Sequence, residues 1–364
     1  MTDMENMFSS IDLHRKQPDV TLEQHVRRKR LELGIEVTNK YKIYLDLRFW
    51  ILLREVELGR NNNQNLIQLL HRIKCLVDDG VGICPISETV YVELMKQSDN
   101  KTRLATAKLI DRLSLGVTLI VNPARINQEL CSAIYSLAGA ENLIPLEYLV
   151  WTKLSNIFGE IHPHQTSFGL SEELVIQKSF FDHMWNVSLT EMMNYIDFES
   201  WKQSDWQKTA DNLNLGNKEN ASEIKSYQHA YRIEFEGGLS LFKEELQQLF
   251  KNADNAGYNK LEVNSENLSE QERFRKFSKL VRTLHISACC YAAVRWDQKR
   301  KLTGNDLLDF HHAEAALGYC DLFLTENPLK TLVSQKNLEL RHDFSCIVES
   351  SVIGGLNVLD ARKG

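Results

Sequence analysis

The amino-acid sequence predicts an α/β fold in which a parallel β-sheet is flanked by helices and split by a mainly helical insertion. Apolar, strand-like runs alternate with helical patterns over residues 41–123, and the alternation returns from about residue 281. Such alternation indicates βαβ units, which build parallel sheets. Residues 124–280 have long helical patterns instead. We therefore divide the chain into an N-terminal helical extension (1–40), an α/β domain (41–123 and 281–364) and a helical insertion (124–280).

The N-terminal extension contains the stretch "LEQHVRRKRLELG", which predicts a helix. Four consecutive basic residues lie in it, from Arg27 to Arg30. Such a run is typical of a solvated helix face, and it is also compatible with an arm that contacts phosphate groups. The sequence leaves both interpretations open.

The first half of the α/β domain predicts three strands and three helices. The strands are "KIYLD", "VGICPIS" and "GVTLIVNP", of which the last two end at Pro85 and Pro123. The helices are "LRFWILLREVEL", "NNNQNLIQLLHRIKCLVDDG" and "SETVYVELMKQ". Gly80 ends the second helix, and Ser87 is a candidate N-cap for the third.

The insertion predicts helices at "LEYLVWTKLSNIF" and "EELVIQKSFFDHMWNVSLTEMMNYI". Two polar stretches, "SDWQKTADNLNLGNKENASE" and "KNADNAGYNKLEVNSENLSEQE", read as exposed loops or partly disordered segments. The helical spacing of its aromatic residues favours a core role over base stacking. These aromatic residues are Trp151, Phe180, Phe181, Trp185, Tyr195 and Trp201.

The second half of the α/β domain begins with two helices, "KLVRTLHISACCYAAVRWDQKR" and "TGNDLLDFHHAEAALGYC". The strand "DLFLTEN" follows, and "HDFSCIVES" and "GLNVLD" are further strand candidates. Strands after helices again predict a parallel arrangement.

Bulk properties restrict the class of protein. The net charge of −6 argues against broad, non-specific nucleic-acid binding, although a local basic groove is compatible with it. Seven scattered cysteines without a CxxC spacing indicate reduced thiols, not a disulfide framework or a zinc site. The polar start has no signal-peptide pattern, and no apolar run is long enough to span a bilayer. We expect a cytoplasmic protein without membrane contact.

Acidic residues fall near the ends of the predicted strands. Asp46 ends the first strand in an apolar context, where a buried carboxylate needs a partner. Open parallel sheets bind ligands at the carboxyl ends of their strands, so these carboxylates are expected to approach closely enough to share a metal ion. An oxygen-only site suits Mg²⁺ or Mn²⁺ and phosphodiester hydrolysis. The other candidates are Glu93, Asp306, Asp309, Asp321, Glu326 and Asn327.

Several of these residues have a simpler interpretation. Asp306 is also in position to cap the N-terminus of its helix. Asp321 is also explained as the residue that opens a strand after a turn. His311 and His312 are candidate metal ligands, but core or surface histidines are commoner.

Four pieces of the chain, in order, resemble PIN-domain ribonucleases. They are "YLD" with Asp46, "PISETVYVELMK" with Glu93, "NDLLDFHHAEAAL" with Asp309, and "CDLFLTENPLKTL" with Thr325 and Asn327. The resemblance covers residues 41–123 and about 281–360. The chain departs from the family where Leu47 and Arg48 follow the first aspartate, since the family often has a small hydroxyl residue and Asn there.

The resemblance implies a PIN-like sheet and a metal-dependent endoribonuclease, either a toxin or defence effector or an RNA-processing enzyme. It implies Mg²⁺ or Mn²⁺ as cofactor and RNA, single-stranded or structured, as substrate. The implied catalytic residues are Asp46, Glu93, Asp309 and Asp306. The implied metal ligands are Asp46, Glu93, Asp309, Asp321 and Glu326. The implied substrate-binding residues are Arg48, Lys96, Thr325 and Asn327.

Other functions stay open at this point. A DNA-cleaving relative would use the same metal–carboxylate chemistry. A catalytically inactive scaffold that binds RNA or protein is favoured by the Leu47–Arg48 departure and by the acidic net charge. The insertion is expected to shape an RNA groove, bind a protein partner or form a homo-oligomer interface.

Overall fold

The structure, a computed structural model, describes residues 10–195, 205–258 and 269–362. Residues 10–15 are helical. The later helices are α1 (Leu22–Thr38), α2 (Leu47–Glu57), α3 (Gln64–Asp78), α4 (Glu88–Met95), α5 (Asn100–Ser114), α6 (Asn122–Leu137), α7 (Leu170–Met184), α8 (Leu189–Tyr195), α9 (Trp206–Glu219), α10 (Tyr227–Ser240), α11 (Lys243–Asn255), α12 (Glu270–Leu280), α13 (Arg282–Trp296), α14 (Gly304–Tyr319), α15 (Asn327–Val333), α16 (Leu340–Asp343) and α17 (Val352–Ala361). The strands are β1 (Tyr41–Leu45), β2 (Gly82–Ile83), β3 (Val117–Leu119), β4 (Trp151–Lys153), β5 (Leu322–Leu324) and β6 (Ile347–Glu349).

Four strands form a parallel sheet in the order β2-β1-β5-β6, as the alternation of strands and helices predicted. In the register, Ile43 pairs with Leu322, Leu45 with Leu324, and Leu324 with Glu349. Helices α2, α3, α14 and α17 contact these strands. The residues of β5 are fully buried, which is typical of a parallel strand covered on both faces. The mixed α/β fold class is therefore confirmed.

Strands β3 and β4 form a two-stranded sheet, which a bridge links to the β2 side of the parallel sheet. Thr118 makes a parallel bridge with Ile86, just after β2, and its hydroxyl donates to the Ile86 carbonyl over 3.0 Å. On its other edge β3 pairs antiparallel with β4 of the insertion. The insertion thus covers a strand edge that the α/β domain alone leaves unpaired.

The insertion shares the main core with the sheet. Its residues Leu154, Leu189 and Tyr227 lie in the same buried cluster as the strands. A second, smaller cluster joins helices α6, α10 and α13. It contains Ile126, Leu130, Ala133, Phe235, Val281, Leu284 and Ala288.

The N-terminal extension is bound to the insertion by ionic contacts. Asp182 of α7 accepts from Nε2 of His14 over 2.8 Å and from Nε2 of His25 over 2.9 Å. Lys29 lies 3.4 Å from Asp182, and Arg30 pairs with Glu160 over 2.8 Å. Part of the basic run at residues 27–30 therefore fixes the extension to the insertion, a use that neither sequence interpretation anticipated.

The predicted helix at "LEYLVWTKLSNIF" is wrong. The segment forms a 3₁₀ turn at Leu146–Tyr148, strand β4, and a second 3₁₀ turn at Leu154–Asn156. Trp151 and Leu154 are buried. Tertiary pairing with β3 overrides the local helical spacing, because the edge of β3 needs hydrogen-bond partners.

The loop predicted at "SDWQKTADNLNLGNKENASE" is also wrong over most of its length, because α9 lies there. The Asp205 carboxylate accepts from the Lys208 amide and caps the helix. The Asn214 side chain donates to the Leu302 carbonyl and accepts from the Leu302 amide, both over 2.8 Å. A polar side chain of α9 thus bonds to the segment that precedes α14.

The strand predicted at "GLNVLD" is helical and belongs to α17. Ser351 caps this helix by accepting from the Gly354 amide over 3.0 Å. Leu356 and Leu359, three residues apart, are buried and give the helix an apolar face. A cap followed by helical spacing outweighs the β-like appearance of a short apolar run.

None of the helices in the described ranges is long and apolar enough to cross a membrane. All seven cysteines are free thiols. Of the insertion's aromatic residues, Trp151 and Phe181 are core residues. Trp201 and the side chain of Tyr195 lie outside the described residues.

Candidate functional site

Asp46 lies directly after β1, at the carboxyl end of the sheet, and it is 5 % exposed. One carboxylate oxygen caps α2 by accepting from the Phe49 amide over 3.0 Å. Burial raises the pKa of Asp46 to about 6, against the opposing influence of His312 and of the Phe49 hydrogen bond. A carboxylate this poorly solvated favours either a proton or a cation.

The end of β5 lies beside Asp46. The Asp46 amide donates to the Leu324 carbonyl over 3.1 Å, which places Thr325 level with Asp46. Thr325 is fully buried, and its hydroxyl has no hydrogen-bond partner among the described residues. Glu326 follows as the exposed residue before α15.

Asp309, in the middle of α14, faces the same place. Its pKa is raised to about 7 by burial and by the negative charges of Asp46, Glu326 and Glu93, while His312 acts in the opposite direction. The charges of three carboxylates from other segments of the chain thus act on Asp309. Like charges in a poorly solvated space resist simultaneous ionisation.

Glu93 of α4 is joined to α14 and β1 by a buried hydrogen-bonded chain. His312 donates from Nε2 to the Glu93 carboxylate over 2.8 Å, and its Nδ1 lies 2.9 Å from the Tyr44 hydroxyl. The Tyr44 hydroxyl also bonds to Ser87 over 2.6 Å. Burial lowers the pKa of His312, but Glu93, Asp46 and Asp309 outweigh it and raise the pKa overall.

The sequence did not identify this chain of hydrogen bonds. Ser87 was expected to cap α4, but it makes no side-chain cap bond and uses its hydroxyl on Tyr44. His312 was considered a metal ligand, and the structure places it between Tyr44 and Glu93. The adjacent histidines in "DFHHAE" are the sequence signal that pointed to His312. The other histidine, His311, bonds to Glu314 over 2.9 Å.

The prediction that Asp321 is a metal ligand beside Asp46 is wrong. Asp321 lies at the amino end of β5, where its carboxylate accepts from the Lys42 amide over 2.7 Å and pairs with the Lys42 ammonium over 3.1 Å. The register places it level with Lys42, four residues before Asp46. At about 3.3 Å per residue, the separation along the strand is about 13 Å.

Asp306 has partners that belong to the start of α14. It forms a capping box with Thr303 and pairs with Arg300 over 2.7 Å. Burial alone raises the pKa of Asp306, but these bonds to Thr303 and Arg300 outweigh it and lower the pKa. The geometry favours the capping interpretation, although a catalytic role for Asp306 stays a prediction.

Two cations lie on elements that carry the acidic residues. Arg48 is exposed, with its guanidinium 5.8 Å from the centre of the Phe49 ring, and it forms no ion pair with the part of the chain described here. Lys96 ends α4 and lines a cleft of about 320 Å³ with Trp206 and Asn305. Asn327, at the start of α15, accepts from Ser350 over 3.3 Å.

The carboxylates of Asp46, Glu93 and Asp309 were expected to lie close enough together to share a metal ion, and they do not form such a group. Within the described ranges, three ligand atoms lying within 4.8 Å of one another occur at His14, His25 and Asp182.

The cluster of His14, His25 and Asp182 suits hydrogen bonding better than a metal ion. Arg28 donates to Nδ1 of His25 over 3.2 Å, so the proton of that imidazole is on Nε2 and is donated to Asp182. A metal at Nε2 would have to displace this proton. The ammonium of Lys29, 3.4 Å from Asp182, adds repulsion towards a cation.

No family model, no curated protein and no solved structure matches the chain.

Proposed function

We propose that the chain is a metal-dependent endoribonuclease whose active site is the carboxylate cluster of Asp46, Glu93, Asp309 and Glu326. The observation that carries the proposal is the 5 % exposed Asp46 at the carboxyl end of β1, beside the end of β5, together with the raised pKa of Asp46 and of Asp309. Parallel sheets place ligand sites at that edge. Carboxylates perturbed in this way cluster at functional sites.

The donor set fits Mg²⁺ or Mn²⁺, because it consists of carboxylate oxygens. Asp46 and Asp309 would hold the ion, with Glu93 and Glu326 as further oxygen donors. A divalent ion at such a site activates water and neutralises negative charge on a phosphodiester.

The remaining residues of the site have supporting roles. His312 orients the Glu93 carboxylate through its 2.8 Å hydrogen bond, in the way that outer hydrogen bonds fix ligand orientation in metal sites. The buried Thr325 hydroxyl, which has no partner among the described residues, would bind substrate. Arg48 and Lys96 would contact backbone phosphates of the substrate, which sets its register without reading its sequence.

A cleavage assay tests the proposal. Purified protein is incubated with labelled single-stranded RNA, and with DNA of the same sequence, in Mg²⁺, Mn²⁺ or EDTA. We expect metal-dependent RNA cleavage by the wild type, and a loss of at least 100-fold in Asp46→Asn and Asp309→Asn. Asp360→Asn serves as the matched control, because Asp360 pairs with Arg72 at the surface.

Each other outcome has a definite meaning. Cleavage in EDTA, or cleavage that survives Asp46→Asn, contradicts the metal-nuclease proposal. Cleavage of DNA but not of RNA would make DNA the substrate in place of RNA. No cleavage of either by a folded wild type favours the inactive scaffold.

A further inference from the structure

A cavity of about 520 Å³ lies between the insertion and the α/β domain, away from the carboxylate cluster. Helices α10 and α12 of the insertion, helix α13, and residues 337–343 line it. Its residues Lys279 and Asp343 also border the hollow beside Asp321, at the amino end of β5. The cavity is thus near the opposite end of the sheet from Asp46.

The walls of the cavity carry aromatic rings. Tyr231 of α10 and Phe274 of α12 meet edge to face, with ring centres 6.1 Å apart. The Arg232 guanidinium lies 5.3 Å from the centre of the Phe274 ring. Small-molecule pockets of 300–1,000 Å³ are typically lined in this way by aromatic side chains with a few polar groups.

The polar groups at the buried end converge on His285. Its Nε2 lies 3.0 Å from the Asp343 carboxylate, and its Nδ1 lies 2.7 Å from the Tyr231 hydroxyl. Burial lowers the pKa of His285, but Cys289 and Asp343 outweigh it and raise the pKa to about 9. The imidazole is thus held at both nitrogens, between the Asp343 carboxylate and the Tyr231 hydroxyl.

A second hydroxyl in the cavity lacks a good partner. Tyr227 is 8 % exposed, and within the described residues its hydroxyl has no oxygen or nitrogen partner. It lies beside the Cys289 thiol, which is a weak acceptor. A buried hydroxyl left without a partner costs free energy, so this group is suited to a bound acceptor.

Three ion pairs lie at the mouth of the cavity. Arg275 pairs with Glu339, Lys279 with Asp343, and Arg232 with Glu270. The arginine pairs at the mouth are largely exposed, and such pairs are held weakly enough for an entering anion to share the guanidinium.

We propose that this cavity is a binding site for a small aromatic anion. The ring of the ligand packs against Phe274 and Tyr231, and its anionic group meets Arg275, Lys279 and the hydroxyl of Tyr227. The Cys289 thiol is not a nucleophile in this site, because Nδ1 of His285, 3.9 Å away, is already bound to Tyr231. The site therefore binds its ligand without covalent chemistry.

Calorimetry with three matched compounds tests the chemical class. The probes are indole-3-acetate, its neutral amide, and acetate, each titrated into the full chain in EDTA. We expect one molecule of indole-3-acetate to bind per chain, about tenfold weaker binding of the amide, and no measurable binding of acetate. Absence of binding by indole-3-acetate overturns the proposal, and equal binding of the amide overturns its anionic part.

Four variants locate the site. Tyr227→Phe and Arg275→Gln are each expected to weaken indole-3-acetate binding about fivefold, the loss of one hydrogen bond. Tyr135→Phe removes a hydroxyl outside the cavity and is expected to change nothing. Asp46→Asn is also expected to bind normally, so failure here and failure of the nuclease proposal are distinguishable. Unchanged binding by both cavity variants, with native thermal unfolding, contradicts the assignment.

Discussion

At the scale of single residues, the central feature is a set of carboxylates that differ in what stabilises their charge. Asp46 and Asp309 have a raised pKa because burial and like charges oppose ionisation. Asp306 has a lowered pKa because its bonds to Thr303 and Arg300 outweigh its burial. This contrast separates Asp46 and Asp309 from Asp306, whose charge already has stabilising partners in Thr303 and Arg300.

The raised pKa values predict how pH affects stability in EDTA. Protons bind Asp46 and Asp309 more tightly in the folded chain than in the unfolded chain, where the pKa is near 3.8. Their contribution is therefore fully present below pH 3.8 and is lost as pH rises through about 6 and about 7. We expect the stability of wild type relative to Asp46→Asn to fall between pH 4 and pH 8, by an order of 3 kcal/mol. Urea unfolding at several pH values measures this, and a difference that does not vary with pH contradicts it.

His312 gives a second prediction at this scale. His312→Gln keeps polarity but changes the bond that orients Glu93. We expect a 10-fold to 100-fold loss of kcat/KM, the size typical of outer hydrogen bonds in metal sites. His311→Gln is the matched control, since His311 bonds to Glu314 and not to Glu93. Equal losses in the two variants would show that His312 acts only on folding.

At the scale of helices and strands, the sequence predicted the parts whose signal is local. Strands β1, β2, β3 and β5 are apolar runs bounded by Gly, Pro or Asp, and they were found in place. Strand β4 and helix α9 were mispredicted because pairing with β3 and bonding to Leu302 decide their conformation. Asp321 was misplaced because only the register shows which end of β5 it occupies.

In the candidate site, too, the sequence predicted the residues that have a local signal and missed the contacts between distant segments. Asp46, Glu93 and Asp309 were chosen from strand ends and motif order. The charges of Asp46 and Glu93 raise the pKa of Asp309, but the three carboxylates do not form a close group. The bond from His312 to Glu93 joins residues 219 positions apart, which no local pattern encodes.

The start of α14 carries a prediction that separates a cap from a catalytic residue. Asp306→Asn weakens the capping box with Thr303 and removes the ion pair with Arg300. We expect a loss of about 1 kcal/mol in stability and less than a threefold loss of RNA cleavage at a temperature where the variant stays folded. Loss of cleavage comparable to Asp309→Asn would instead restore the catalytic role of Asp306.

At the scale of the whole molecule, the extension and the insertion are parts of one packed structure. The insertion supplies β4 to a sheet edge, contributes residues to the main core, and binds the extension through Asp182. Removing residues 124–280 would therefore expose core and leave β3 unpaired. Function of the insertion is better tested by point changes than by deletion.

Asp182→Ala tests this integration. It leaves two nearly buried histidines, His14 and His25, without their acceptor. We expect about 2–3 kcal/mol of destabilisation, because unsatisfied buried donors lose their full solvation. Asp360→Ala removes an exposed ion pair and is expected to cost less than about 1 kcal/mol. Hydrogen exchange should increase in α1 and α7 of the Asp182 variant, and unchanged exchange there contradicts the prediction.

Mn²⁺ binding, followed by electron paramagnetic resonance, tests whether the carboxylate cluster binds a divalent cation. We expect wild type to bind Mn²⁺ at micromolar concentrations, and an Asp46→Asn, Asp309→Asn double variant to lose this binding. An Asp182→Ala variant should keep it. Absence of Mn²⁺ binding by folded wild type, or binding that the double variant retains, would contradict a metal site at this cluster.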